Sequence, residues 1–154
     1  MRALLARRTL LVAAALAGCM EDLPDLPPLP PGATSSGYYS FRSTVGSLDL
    51  YAISAVLDQL EPRFGRVNQG RLRVFRHEMP DGTDSNVVRG HYGAMLTPYG
   101  MAPLALSAAP GSWAVAFAGR GGVLAAEALI LRGDDQTGKV PFNIITNLKP
   151  RQPA

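Results

Sequence analysis

The sequence predicts a mainly β domain, a small β-sandwich with one flanking helix. Three observations lead there. Beyond residue 70 the chain breaks into short apolar runs separated by Gly, Pro and Asp, the spacing of strands and turns. One earlier stretch repeats its apolar residues at helical intervals. The segment between residues 38 and 149 is about 110 residues, enough to bury one core without a disulfide or a structural metal.

Along the chain, Tyr38 to Val45 is rich in aromatic and β-branched residues and predicts a strand. Ser47 to Leu60 predicts a helix: Leu50, Ile53, Leu57 and Leu60 recur at steps of three and four, Ser47 can cap it and Pro62 can close it. A strand over Leu48 to Val56 is the competing assignment. Gly70 to His77 alternates, with Leu72 and Val74 on one face and Arg71 and Arg73 on the other. Asp81-Gly82-Thr83-Asp84-Ser85-Asn86 is a turn cluster. The runs Val87 to Thr97, Pro103 to Ser107, Ser112 to Gly119, Val123 to Leu131 and Lys139 to Leu148 complete the expected strands.

The N-terminus has a different character. Arg2, Arg7 and Arg8 precede an apolar run from Leu10 to Ala17 and then small residues, the three parts of an export signal. Twelve uncharged residues, Thr9 to Met20, fall short of the roughly 20 that a spanning helix needs. The whole chain carries a formal +3. Those three arginines account for all of it, leaving twelve basic residues against twelve acidic after residue 18. A neutral mature protein has no global field to attract nucleic acid, and none is expected as a partner.

Two cleavage sites are compatible with these residues. Ala15-Leu16-Ala17 fits an ordinary A-x-A site and would release a protein beginning at Gly18. Leu16-Ala17-Gly18-Cys19, in contrast, resembles the lipobox of bacterial lipoproteins. That resemblance implies a diacylglyceryl group on the Cys19 thiol, with Leu16, Ala17 and Gly18 recognised by the signal peptidase that cuts before it. Cys19 is the only cysteine, so no internal disulfide exists to employ it, which favours lipidation. Two or more acyl chains, palmitate among them, anchor a protein stably. Met20 follows the cysteine in place of the aspartate of inner-membrane retention, which by the same resemblance implies an outer-membrane address in a two-membrane cell.

The expected organisation is a signal peptide over 1–18, a lipidated Cys19 with a linker over 19–37, a domain over 38–149 and a tail over 150–154. Pro24, Pro27, Pro28, Pro30 and Pro31 make the linker extended and stiff, a spacer that would hold the domain roughly 50 Å from the lipid.

One stretch within the domain goes beyond generic β patterning. Thr97-Pro98-Tyr99-Gly100, Leu104 and Leu106, then Pro110 to Gly119 and the closing segments to Ile145 resemble carboxypeptidase-regulatory-like, transthyretin-like modules over residues 97–145. Trp113, Val115 and Phe117 would share one face there. The aspartate usual near the Thr–Gly turn is replaced by Pro98 and Tyr99. A type VI secretion-like outer-membrane lipoprotein subunit, a transthyretin-like sandwich with added helices, is an alternative identity on the same grounds.

Catalytic motifs are scarce. No G-x-S-x-G occurs, and His77-Glu78 lacks the second histidine of a zinc helix, with Pro80 in the way. Asp81, Asp84 and Asn86 offer oxygens suited to calcium, without EF-hand spacing. His77 and His91 with Glu78 and that loop form the candidate site of a small metal-dependent enzyme or binder. Gly119-Arg120-Gly121-Gly122 lacks the rest of a dinucleotide fingerprint and predicts a flexible loop. Arg63, Arg66, Arg71, Arg73 and Arg76 concentrate basic charge on what predicts a solvated face, and Arg132-Gly133-Asp134 predicts a hairpin turn. The expectation is a non-enzymatic envelope lipoprotein, without cofactor, that meets an envelope protein through its sandwich.

Overall fold

A computed structural model describes residues 23–35, 44–67, 71–130 and 138–151. The elements in order are β1 (Thr34–Ser35), α1 (Thr44–Phe64), β2 (Arg73–Pro80), α2 (Ser85–Leu96), a 3-10 turn (Thr97–Tyr99), β3 (Ala102–Leu104), β4 (Ser112–Gly119), β5 (Gly122–Leu129) and β6 (Lys139–Thr146). All six strands join one sheet in the order β1-β2-β6-β5-β4-β3, and every neighbouring pair is antiparallel.

The mainly β class with a flanking helix therefore stands. Helices cover both faces of the sheet, so helix-on-sheet contacts do the work that sheet-on-sheet contacts do in a sandwich. On one face α1 lays Ile53, Val56 and Leu60 against Leu72, Ala116, Val123, Ala125 and Ile145. On the other, α2 lays Val88, Tyr92 and Leu96 against Val115, Phe117, Leu124, Ala126, Phe142 and Ile144. Every residue of β5 is buried as a result. The alanines of β4 and β5 suit that position, because small side chains let a helix approach a sheet closely.

Helix α1 replaces the competing strand over 48–56, but its buried face is Ala52, Ile53, Val56 and Leu60, while Leu50 is 42% exposed. Pro62 does not close it. The proline lies inside the last turn, and Gly65 ends the helix with φ +92° and an N–H donated to the Glu61 carbonyl. Thr44 and Val45, expected as the end of a strand, are at the helix start or just inside it, and residues 36–43 lie outside the described residues.

The strand expected over Val87 to Thr97 is a helix. Asp84 caps α2, its side chain accepting the Asn86 N–H at 2.8 Å. Val88, Tyr92 and Leu96 are spaced by four, the interval that returns to one helical face. Gly90 and Gly93 disguised that period. Gly93 lies over the Phe117 ring, where a Cβ would make ordinary van der Waals contact at 3.5 Å.

The proline segment also departs from expectation. Residues 23–35 are part of the folded unit. Leu23, Leu26, Leu29 and Ala33 pack on the core beneath α2, and Thr34–Ser35 pairs with His77 and Glu78 of β2. The Leu26 N–H donates to the Lys149 carbonyl at 2.7 Å, beside a bridge between Asp25 and Lys149. A polyproline II helix turns every three residues, and Leu23, Leu26 and Leu29 keep that repeat. The prolines thus stiffen a strap across the sheet, and the strap cannot serve as a 50 Å spacer.

Gly119-Arg120-Gly121-Gly122 is a tight hairpin turn. Gly119 faces Gly122 across it, with positive φ at Arg120 (53°) and Gly121 (84°), as two-residue turns between twisted strands require.

Candidate functional site

The chemistry with the strongest perturbation lies inside the core, under the first turns of α1. Asp49 comes from α1, Arg76 from β2, Glu127 from β5 and Asn143 from β6. The register sets Arg76 opposite Asn143 and Asn143 opposite Glu127, so three adjacent strands align these side chains in one row on the α1 face. Asp49, Glu127 and Asn143 are essentially inaccessible.

Asn143 is the centre of the row. Its side-chain amide donates to Asp49 Oδ1 at 2.6 Å and to Glu127 Oε2 at 2.9 Å. Arg76 pairs with Asp49 through its guanidinium. Two acids and one cation leave a surplus negative charge if both acids ionise, and burial disfavours that state. Desolvation pushes the Glu127 carboxyl up to about 8, and Asp49 nearby pushes in the same direction. Desolvation also raises Asp49 above its ordinary value, against the opposing pull of Asn143 and Arg76. Glu127 Oε1 and Asn143 Oδ1 remain buried without a hydrogen-bond partner. The cluster therefore stores a proton between strands and ties α1 to the sheet.

That proton sets a pH dependence. The unfolded Glu127 carboxyl ionises near its usual 4.5, whereas the folded one holds its proton to about 8. Between those values the folded state binds the extra proton, so stability falls as pH rises through the window and levels off above it. Glu127→Gln is expected to flatten this fall and to raise stability at pH 7 by on the order of 2 kcal/mol. Urea unfolding at pH 5, 7 and 8.5 checks it, and an unchanged slope would contradict the assignment.

The sequence-derived candidates are placed elsewhere and separately. His77 is half-buried on the opposite face of β2, tilted against the Phe142 ring at 6.3 Å, and burial lowers its pKa. Its Nδ1 has no partner. His91 lies on α2, where Nε2 meets the Pro28 carbonyl at 2.8 Å and the ring stands edge-on to Tyr92. Glu78 pairs with Lys139 at 3.7 Å. Asp81 is an exposed turn residue, Asp84 is the helix cap and Asn86 supplies the N–H it receives. Among the described residues no group of three or more His, Cys, Asp or Glu could hold a metal ion. Leu16, Ala17, Gly18, Cys19 and Arg132-Gly133-Asp134 lie outside the described residues.

Two clefts flank the α2 face. One, of about 360 Å³, lies between the strap and α2 and is lined by Pro24, Leu26, Pro28, Met95, Tyr99 and Arg151. The other, of about 330 Å³, is more apolar and opens beside the α2 N-terminus, over Met79, Trp113 and Ile130. Neither touches the buried row. Sequence reasoning missed Asp49, Glu127 and Asn143, and it assigned Arg76 to a solvated face. One signal was present: Glu127 alternates with Val123, Ala125 and Leu129 in an apolar run, at a position that must face inward.

Comparison with protein-family models, curated proteins and solved structures gave no match.

Proposed function

We propose that this chain is a cell-envelope lipoprotein, anchored through lipid on Cys19, whose folded domain has a non-enzymatic binding or assembly role. The observation that carries the proposal is the sole cysteine, set directly after Leu16-Ala17-Gly18 at the end of an export signal. Support for a contact role comes from the outer face of α1. Leu48, Leu50 and Tyr51 are exposed there, and Tyr51 is 62% accessible. Apolar residues grouped on a surface fit contact with an envelope protein. The most perturbed carboxyls, by contrast, are sealed within the core.

No helix among the described residues is long and apolar enough to cross a membrane. In this proposal the acyl chains make the attachment. Cys19→Ala is the test. Incorporation of labelled fatty acid into the protein is expected to fall to background, and processing ahead of residue 19 to stop. Undiminished labelling, or a mature parent protein with a free thiol, would overturn the proposal.

A further inference from the structure

We infer that the end of the sheet where Leu23 docks faces the bilayer and that exposed cations there contact anionic lipid headgroups. The inference rests on the lipid anchor proposed above. Leu23 is four residues on from Cys19, and four extended steps of chain reach about 14 Å at most. Leu23 is itself packed in place: its side chain comes within 2.8 Å of where a Cβ on Gly122 would stand, beside Leu148. A lipid on Cys19 must therefore draw this end of the molecule to the membrane surface.

The register shows what else is at this end. Arg73 is opposite Thr146, Thr146 is opposite Leu124, Gly119 is opposite Gly122 and Ala118 is opposite Ala102. The start of β2, the end of β6, the β4–β5 turn and the start of β3 thus lie side by side. The C-terminus of α1 joins them, because Gly65 packs against Arg71. Arg63 and Arg66 at the end of α1, Arg71 before β2, Arg120 in the β4–β5 turn, and Lys149 and Arg151 after β6 are all exposed. Among the described residues the carboxylates Asp25, Asp58 and Glu61 stand against these six, and Glu21 and Asp22 immediately precede Leu23 in the sequence, leaving a formal +1. Among the described residues at the opposite end Glu78, Asp81 and Asp84 outnumber Arg89 and Lys139, a formal −1. The mature chain is neutral overall, so this is a separation of charge along the strand direction.

Two details point the same way. Arg120 has φ 53°, a conformation that glycine or asparagine adopts with less strain, so the hairpin tip carries a cation where turn chemistry alone would select another residue. Tyr99, 53% exposed, ends the 3-10 turn at this same end, and tyrosine suits the headgroup level of a bilayer. Juxtamembrane cations are drawn to anionic lipid, and the attraction fades within a Debye length.

Helix α2 provides a ruler for the test. Thr97 and Asn86 are exposed near its two ends, about 16 Å apart along the axis. In the acylated protein an introduced cysteine is the one free thiol, so Thr97→Cys and Asn86→Cys can each carry a fluorophore. The lipidated proteins are reconstituted into phosphatidylcholine vesicles with or without phosphatidylglycerol, doped with a headgroup quencher. Quenching at residue 97 is expected to exceed that at residue 86 by roughly fivefold in anionic vesicles, and the ratio to drop by at least half in about 1 M salt. Equal quenching at both sites, or a ratio indifferent to lipid charge and salt, overturns the inference while mass spectrometry of an acylated Cys19 leaves the anchor intact. An unmodified Cys19 in the same sample overturns both.

Discussion

Replacing Arg76 by methionine is expected to lower stability by about 3 kcal/mol or more at pH 7, because it strands a carboxylate inside the core. Methionine keeps the aliphatic stem on β2 but removes the guanidinium that pairs with Asp49. Asp49 would then have only the Asn143 amide, already shared with Glu127. The deficit is expected to shrink toward acid pH, where Asp49 takes up a proton and no longer needs a cation. The double variant Arg76→Met with Asp49→Asn is expected to recover at least about 1 kcal/mol relative to Arg76→Met, since it removes the charge left behind. Urea titrations of the single and double variants measure both. A loss below 1 kcal/mol at pH 7 would show that the row contributes little to cohesion.

The second large effect concerns the strap. Changing Leu23, Leu26 and Leu29 together to alanine is expected to lower stability by about 4 kcal/mol, as three half-buried leucines each lose part of their contact. The same variant is expected to be cut by proteases between residues 23 and 35 at a rate the parent protein resists. A free spacer would predict neither result: stability would be unchanged within about 0.5 kcal/mol, and the parent segment would already be cut readily. The experiment separates a docked strap from a tether with two independent readouts.

These two sites also mark where residue patterns were informative and where they misled. The strands Ser112–Gly119 and Lys139–Thr146 were legible because alternating or continuous apolar runs between turn residues have few other uses. Helix α1 was legible from its period, and Ile53, Leu57 and Leu60 do pack on the core, but Leu50 is exposed and Asp49, Ala52 and Val56 face inward as well. An aspartate on the inner face looked like a solvent position, and only its partners on β2 and β6 make it a core residue. In α2, adjacent valines and two glycines favoured a strand, and tertiary packing on Phe117 outweighed that local preference.

Residue order alone determined the single thiol at Cys19, the mainly β class and the equal count of twelve basic and twelve acidic residues after residue 18. These are properties of short windows and of counts, which folding does not alter. The three-dimensional structure decided that the prolines form a docked strap and that Asp49, Arg76, Glu127 and Asn143 meet. Each of these joins residues tens of positions apart, and strand register together with helix and strap packing brings them together. Local sequence carries no record of which distant partner a buried charge will find.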